Sequence, residues 1–196
     1  EKATERAESS GLAARFRYRR GSADALNFED GSFDLVTCQT VLIHVADAAR
    51  TLREMARVTR PGGLVLLAEP NNAVWPVIES VAAGTAPDEI AALVRFHLVC
   101  LRGKAALGEG NDLVGESLPS LLAAAGLEDV EIRMNDRTAP MLPPYDSPAE
   151  GVAAEEMIDL ADREIIMWAR DDTKRRFLAG GGADSEFDAL WSTAIA

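Results

Sequence analysis

Two short apolar segments on either side of one amphipathic helix constrain the fold of this chain more than any other feature. Residues 33–38 (FDLVTC) and 64–68 (LVLLA) are rich in the apolar and β-branched side chains that buried parallel strands require. Between them, Asp47 can cap a helix that runs to about Val58, with apolar side chains at every third or fourth position. The short connections predict a parallel strand pair with a right-handed crossover.

The flanking segments predict more elements of both kinds. Residues 15–19 and 130–134 alternate along the chain like strands with one covered face. Residues 87–102 and 117–125 have the composition and spacing of helices. We expect residues 60–63 (RPGG) to end the preceding helix in a loop, with a glycine at its left-handed terminus. Strands that alternate with helices in this way predict an α/β fold.

Proline and charge patterns divide the chain into two parts. We predict an α/β core over residues 1–139, with a helical insertion at about 71–115. Residues 140–196 are predicted as a C-terminal helical extension that packs on the core or on a partner subunit, because four prolines between 140 and 148 precede an amphipathic helical pattern. Residues 2–9 have helical composition without a cap, so we expect the sequence to begin inside a domain; a frayed N-terminal helix is the alternative.

Charge and cysteine content exclude several classes of function. The 196 residues include 20 Lys and Arg against 32 Asp and Glu, a formal net charge of −12. This balance argues against a nucleic-acid partner and against an anionic membrane surface, both of which need clustered cations. No apolar run approaches the roughly 20 residues that cross a bilayer. Cys38 and Cys100 lie far apart without neighbouring metal ligands, which predicts no metal site and a cytoplasmic protein.

Polar side chains follow each of three predicted strands at the point where the strand ends. These positions are residues 21–24, 38–44 and 69–72. In an open parallel sheet, ligands bind beyond the carboxyl ends of the strands, where the connecting loops converge. The sequence therefore predicts a ligand crevice formed by these three segments.

The same region carries a family resemblance. Residues 25–36 (ALNFEDGSFDLV), followed by His44, 53–58 (REMARV) and 60–63 (RPGG), resemble the central region of class I S-adenosylmethionine-dependent methyltransferases. Order and spacing agree over residues 15–70 with that family's loop, turn, strand, helix and second strand. The resemblance implies a Rossmann-like, doubly wound, mostly parallel sheet that is incomplete at its N-terminal side, with added helices forming a cap.

The resemblance also implies an activity. It points to an enzyme that uses S-adenosylmethionine as cofactor and methylates a small-molecule acceptor by in-line transfer, and it leaves a homodimer open. The family's glycine-rich loop and the acid that ends its second strand would lie upstream of Glu1, so the half-site for methionine and ribose is not in this sequence. One alternative is a non-catalytic, methyltransferase-like binding or assembly subunit. Another is a dehydrogenase-like nucleotide enzyme, although the sequence has no Gly-x-Gly-x-x-Gly motif.

The family pattern assigns cofactor contacts at two strand ends. Around the adenine it places Ser22, Ala23 and Asp24. Near the methionine end it places Gln39 with its neighbours Cys38 and Thr40. Simple turn chemistry explains Ser22 and Asp24 equally well, since both side chains readily bond their own backbone.

His44 is the candidate catalytic base, because histidine titrates near neutral pH. The alternative is that it packs at the start of the helix capped by Asp47. The candidate acceptor-side residues follow the third strand or lie in the added helices: Glu69, Asn71, Trp75, Arg95, His97 and Tyr145. The alternative for these residues is packing of added helices, a core role for His97 and a solvated position for Arg95.

Overall fold

The computed structural model describes residues 2–70, 72, 84–133, 151 and 169–194. The strands are β1 (Phe33–Gln39) and β2 (Thr59–Ala68). The helices are α1 (Lys2–Ser9), α2 (Ala48–Val58), α3 (Pro87–Ala106), α4 (Val114–Ala124), α5 (Arg170–Ala179) and α6 (Asp184–Ala194). Short 3-10 turns cover Ala13–Arg15 and Leu42–His44.

The central strand–helix–strand unit confirms the main prediction. β1 and β2 pair in parallel, with Leu35 opposite Leu64 and Gln39 opposite Ala68, and α2 connects them. The Asp47 carboxylate accepts a hydrogen bond from the backbone N–H of Arg50 at 2.8 Å, as an N-cap does. A cap of this kind contributes about 1 kcal/mol to helix stability.

One face of the strand pair is covered by helices. A buried cluster of Leu42, Ile43, Leu52, Met55 and Val114 packs against the side chains of β1 and β2 that point to α2 and α4. On the opposite face Leu35, Leu64 and Leu66 remain 50%, 59% and 54% exposed. The described residues therefore form an α/β unit with a two-stranded parallel sheet that is covered on one side.

The expectation for residues 60–63 was wrong. Helix α2 ends at Val58, and these residues belong to β2, where the register shifts between the pairs that Phe33 and Leu35 form. A glycine terminus is not needed, because the Thr59 hydroxyl donates to the Met55 carbonyl at 2.7 Å. Gly62 instead adopts φ +74° within the segment of β2 where the register shifts, a conformation that glycine allows without strain.

Two predicted strands are absent from the described residues. Residues 16–20 and 130–133 have no regular secondary structure, and Met134 lies outside the described part. Phe16 is 49% and Ile132 is 64% exposed. Alternation specifies which side chains share a face, but a strand also needs a neighbouring strand for its backbone hydrogen bonds, and within the described residues β1 pairs with β2 alone.

Helices α3, α5 and α6 form a second cluster. Phe96, Cys100, Phe177 and Phe187 are buried together, and the ring centroids of Phe96 and Phe177 are 5.2 Å apart. The predictions of helices at 87–102 and 117–125 are confirmed by α3 and α4. The amphipathic pattern after residue 150 falls mostly outside the described part. Among the helices that the structure describes, none has the length and apolarity to cross a membrane.

Candidate active site

The carboxyl ends of the two strands are joined by Glu69, which follows β2. Its carboxylate accepts hydrogen bonds from three successive backbone N–H groups after β1. The donors are Val41 at 2.8 Å, Leu42 at 3.0 Å and Ile43 at 3.4 Å. Bonds from N–H groups to a charged carboxylate are stronger than neutral ones, so Glu69 fixes the 3-10 turn that carries His44. Sequence reasoning placed Glu69 on the acceptor side. The structure shows in addition that its carboxylate binds the backbone of residues 41–43.

The Cys38 thiol lies beside the same carboxylate. It donates to Glu69 Oε1 at 3.6 Å. Burial, together with the charge of Glu69, raises the pKa of this thiol to about 12. Burial likewise raises the pKa of Cys100 to about 12. Both cysteines are therefore neutral at pH 7, which suits packing residues and not nucleophiles.

Thr40, directly after β1, has a strained backbone. Its φ is +52°, a conformation that β-branched residues rarely adopt. Its N–H donates to the Ala68 carbonyl at 2.9 Å, which holds the residue against the end of β2. Strain of this kind concentrates at functional sites. Gln39 and Thr40 are both exposed at the rim of the strand pair.

Ser22, Ala23 and Asp24 form a second group. The Ser22 hydroxyl donates to the Asp24 carboxylate, so turn chemistry is present here. Arg50 Nε donates to the Asp24 backbone carbonyl at 2.9 Å. Because Arg50 lies in the first turn of α2, which follows the end of β1, Asp24 is at the same end of the strand pair as Glu69.

An open cleft of about 580 Å³ lies beside this group. It is lined by Asp24, Ala25, Leu26, Asn27, Arg50, Arg53 and Glu54. Side chains of both charges line the cleft, so it offers carboxylates and guanidinium groups to a ligand. The residues that bind Glu69 and the residues that line this cleft are different, but both groups lie at the carboxyl end of the strand pair.

Arg57 fastens the loop before β1 to α2, and the sequence analysis missed it. Its guanidinium donates to both carboxylate oxygens of Glu54 at 2.8 Å. It also donates to the carbonyls of Leu26 and Phe28 at 2.8 Å and to the Asp30 carboxylate at 2.7 Å. The spacing of Glu54 and Arg57 on one helix face was visible in the sequence, but their loop partners were not.

This cluster makes stability depend on pH. The hydrogen bonds from Arg57 lower the pKa of Glu54 from its ordinary 4.5 to about 2. A lowered native pKa stabilises the fold above pH 4.5, and this contribution is lost as the pH falls toward 2. We expect wild type to unfold at a higher urea concentration than Glu54→Gln at pH 7. The difference between the two midpoints should shrink below pH 4.5.

The control for this measurement is Glu29→Gln. The Glu29 carboxylate is exposed and has no hydrogen-bond partner within the described residues. Its substitution should leave the denaturation midpoint unchanged across the same pH range. A gap between wild type and Glu54→Gln that persists undiminished to pH 2 would contradict the role given to the Arg57 bond.

Helix α3 brings two groups to the rim. The half-buried His97 ring has Nε2 3.1 Å from the Asn72 carbonyl, three residues after Glu69, and burial lowers its pKa. Lys104 Nζ donates to the Ile43 carbonyl at 3.1 Å and pairs with Asp112. Sequence reasoning missed Lys104, although it continues the buried stripe of Phe96 and Cys100 at a spacing of four.

The other candidates are placed as follows. His44 ends the 3-10 turn with an exposed side chain, and its N–H donates to the Val41 carbonyl at 2.9 Å. Arg95 is exposed and pairs with Glu186 of α6 at 3.2 Å. The predictions for Asn71, Trp75 and Tyr145 fall outside the described residues. Within the described part, no group of three or more His, Cys, Asp or Glu side chains could hold a metal ion.

Comparison with known proteins bears on this arrangement. A family described as "Methyltransferase domain" matches residues 1–67. This confirms the resemblance found in the sequence, and the matched segment of the methyltransferase domain contains both groups of predicted cofactor contacts and His44.

Curated proteins similar to this chain are named as methyltransferases. The chain is 41% identical to a demethylmenaquinone methyltransferase of Beutenbergia cavernae over 80 residues, 37% of this chain and 33% of that protein. It is 32% identical to methyltransferase GfsG of Streptomyces halstedii over 151 residues, 74% and 49% of the two chains. It is 30% identical to the ubiquinone/menaquinone biosynthesis C-methyltransferase UbiE of an Enterobacter strain over 138 residues, 65% and 51% of the two chains. The chain thus spans a third to a half of these relatives.

Proposed function

We propose that this chain is part of an S-adenosylmethionine-dependent methyltransferase that transfers a methyl group in line to a small-molecule acceptor. The observation that carries the proposal is the common end of β1 and β2, where Glu69 joins both strands next to a segment of the methyltransferase domain family. The complete domain would have a doubly wound sheet. Relatives named for demethylmenaquinone and for ubiquinone/menaquinone biosynthesis support a small organic acceptor.

The chemistry of the polar groups at this end fits this cofactor. Ser22 and Asp24 offer a hydroxyl and a carboxylate that match the amino group of an adenine. Gln39 and Thr40 offer an amide and a hydroxyl at the strained end of β1. The neutral Cys38 thiol beside them adds an uncharged surface. When bound, S-adenosylmethionine supplies a methyl group on a positively charged sulfur, which is a good leaving group.

The protein therefore has to align the acceptor and exclude water. Proximity and orientation supply roughly 7–11 kcal/mol in favourable cases, so a dedicated base is not obligatory. His44, exposed on the fixed turn, is the group we assign to take a proton from the acceptor where one must leave. Glu69 and His97 lie on the side of the loop after β2, where we place the acceptor.

Calorimetry with S-adenosylhomocysteine tests the proposal. We expect the intact protein to bind this product, and Asp24→Ala to weaken binding roughly tenfold, the effect of one lost hydrogen bond to a charged group. The control is Asp34→Ala, because Asp34 is exposed near the amino end of β1 and pairs with Arg60. Its affinity should match wild type.

Each outcome has its own consequence. Absence of binding by a folded, intact protein would favour the non-catalytic binding or assembly subunit. Unchanged affinity in Asp24→Ala alone would remove that residue from the adenine contacts and leave the methyltransferase proposal standing.

A further inference from the structure

The turn that carries His44 is held from two sides. On one side, Glu69 accepts the N–H groups of residues 41–43. On the other, Lys104 of α3 donates to the carbonyl oxygen of Ile43 at 3.1 Å. Lys104 is 61 residues away in sequence and belongs to an added helix, not to the strand pair. The turn is thereby connected both to the strand pair and to α3.

Lys104 is buried together with its counter-ion. Its side chain is 5% exposed and that of Asp112 is 7% exposed, and the two form an ion pair. Apolar residues of similar size often stabilise a fold as well as a buried ion pair does. Stability alone therefore gives little reason for a lysine here. What the ammonium adds is a directed bond to the Ile43 carbonyl.

Gly110, in the loop after α3, packs closely against the same turn. Its φ is +102°, and a Cβ there would overlap the Ile43 carbonyl oxygen and lie 2.8 Å from the His44 Cα. Only glycine lets the backbone approach this closely. The loop after α3 thus packs against Ile43, which both Lys104 and Glu69 bind, and against the neighbouring His44.

We propose that Lys104 is a positioning residue: with Asp112 and Gly110 it clamps residues 41–44 and fixes His44 at the rim. The use of that rim rests on the proposed methyl transfer, but the clamp itself does not. Through it, the placement of α3, which also carries His97, sets the conformation of the turn at the end of β1.

Two variants with matched controls test the clamp in the intact protein. Lys104→Met/Asp112→Leu removes both buried charges at once, so that no unpaired charge is left to unfold the protein. Its control is Lys174→Met/Asp184→Leu, which removes both members of the ion pair of 2.7 Å between α5 and α6 and likewise keeps the net charge. Gly110→Ala pushes on the turn without changing charge. Its control is Gly108→Ala, where φ is +72° but no atom lies within 4 Å of the added Cβ.

The measurements are amide hydrogen exchange and imidazole NMR. In Lys104→Met/Asp112→Leu, loss of the charged hydrogen bond to Ile43 predicts roughly 10- to 100-fold faster exchange of the amides of residues 41–44. In Gly110→Ala we expect faster exchange of the same amides, because the added Cβ would displace the Ile43 carbonyl. Because the chain has two histidines, the His44 signal can be followed against His97, and we expect it to shift or broaden. Both controls should keep wild-type exchange in residues 41–44.

Wild-type exchange of residues 41–44 in folded clamp variants would overturn the proposal. So would equal acceleration in Gly108→Ala and Gly110→Ala, because the effect would then come from backbone strain in the loop. Neither signal needs a cofactor, so these results stand apart from the calorimetry. If wild type does not bind S-adenosylhomocysteine, the methyltransferase proposal fails. The clamp proposal would still be tested by amide hydrogen exchange of residues 41–44.

Discussion

Alanine at Gly103 will destabilise the cluster of α3, α5 and α6 by about 2–3 kcal/mol, the upper range for an overpacked site. In an exposed helix the same change gains about 1 kcal/mol, because glycine is the poorer helix former. The sign is reversed here because α3 and α5 meet backbone to backbone. A Cβ on Gly103 would overlap the Arg176 carbonyl oxygen and lie 2.8 Å from the Gly180 nitrogen.

Urea unfolding followed by far-ultraviolet circular dichroism and by tryptophan fluorescence measures this effect. Trp191 stacks on Phe187 at 6.0 Å between ring centroids, so its contribution to the emission of the three tryptophans reports the cluster. The control is Gly21→Ala, where no atom lies within 4 Å of the added Cβ; we expect a change within about 0.5 kcal/mol. A Gly103→Ala protein more stable than wild type would show that the two helices do not pack as closely as described.

Elements with a local cause could be predicted from the sequence. The apolar runs of β1 and β2, the Asp47 cap and the spacing along α3 each act within a few residues, and the structure has all of them. The strand prediction for residues 15–19 failed for the converse reason. Its alternating pattern specifies which side chains share a face, but not whether another strand is present to pair with them.

The candidate site depends on contacts between distant residues. Glu69 meets the Val41 N–H across 28 residues. Lys104 meets Ile43 across 61. No periodicity encodes such pairs, so the sequence could name Glu69 as polar and well placed without finding what it holds. The role of Asp24 came from the family resemblance and that of His44 from the general chemistry of histidine; both remain predictions, because their described contacts are also those of ordinary turn residues.

Glu69→Ala will be the most damaging single change at the rim, with an expected loss of about 3 kcal/mol in unfolding free energy. The three N–H groups that it holds belong to a turn whose Leu42 and Ile43 are buried, so they cannot all turn to water when the carboxylate is removed. Glu69→Gln keeps the shape and one carbonyl acceptor, and should cost less than half as much.

The glutamine variant also has a chemical readout. The Glu69 charge helps to raise the pKa of Cys38, so its removal should lower that pKa and speed alkylation by iodoacetamide at mildly alkaline pH. Cys100 is the internal control, because burial alone raises its pKa and its alkylation should not change. Glu128→Gln, at an exposed carboxylate, controls for net charge. If Glu69→Gln alkylates no faster than wild type at Cys38, or Glu69→Ala unfolds at the wild-type urea concentration, the carboxylate does not hold the ends of the two strands together.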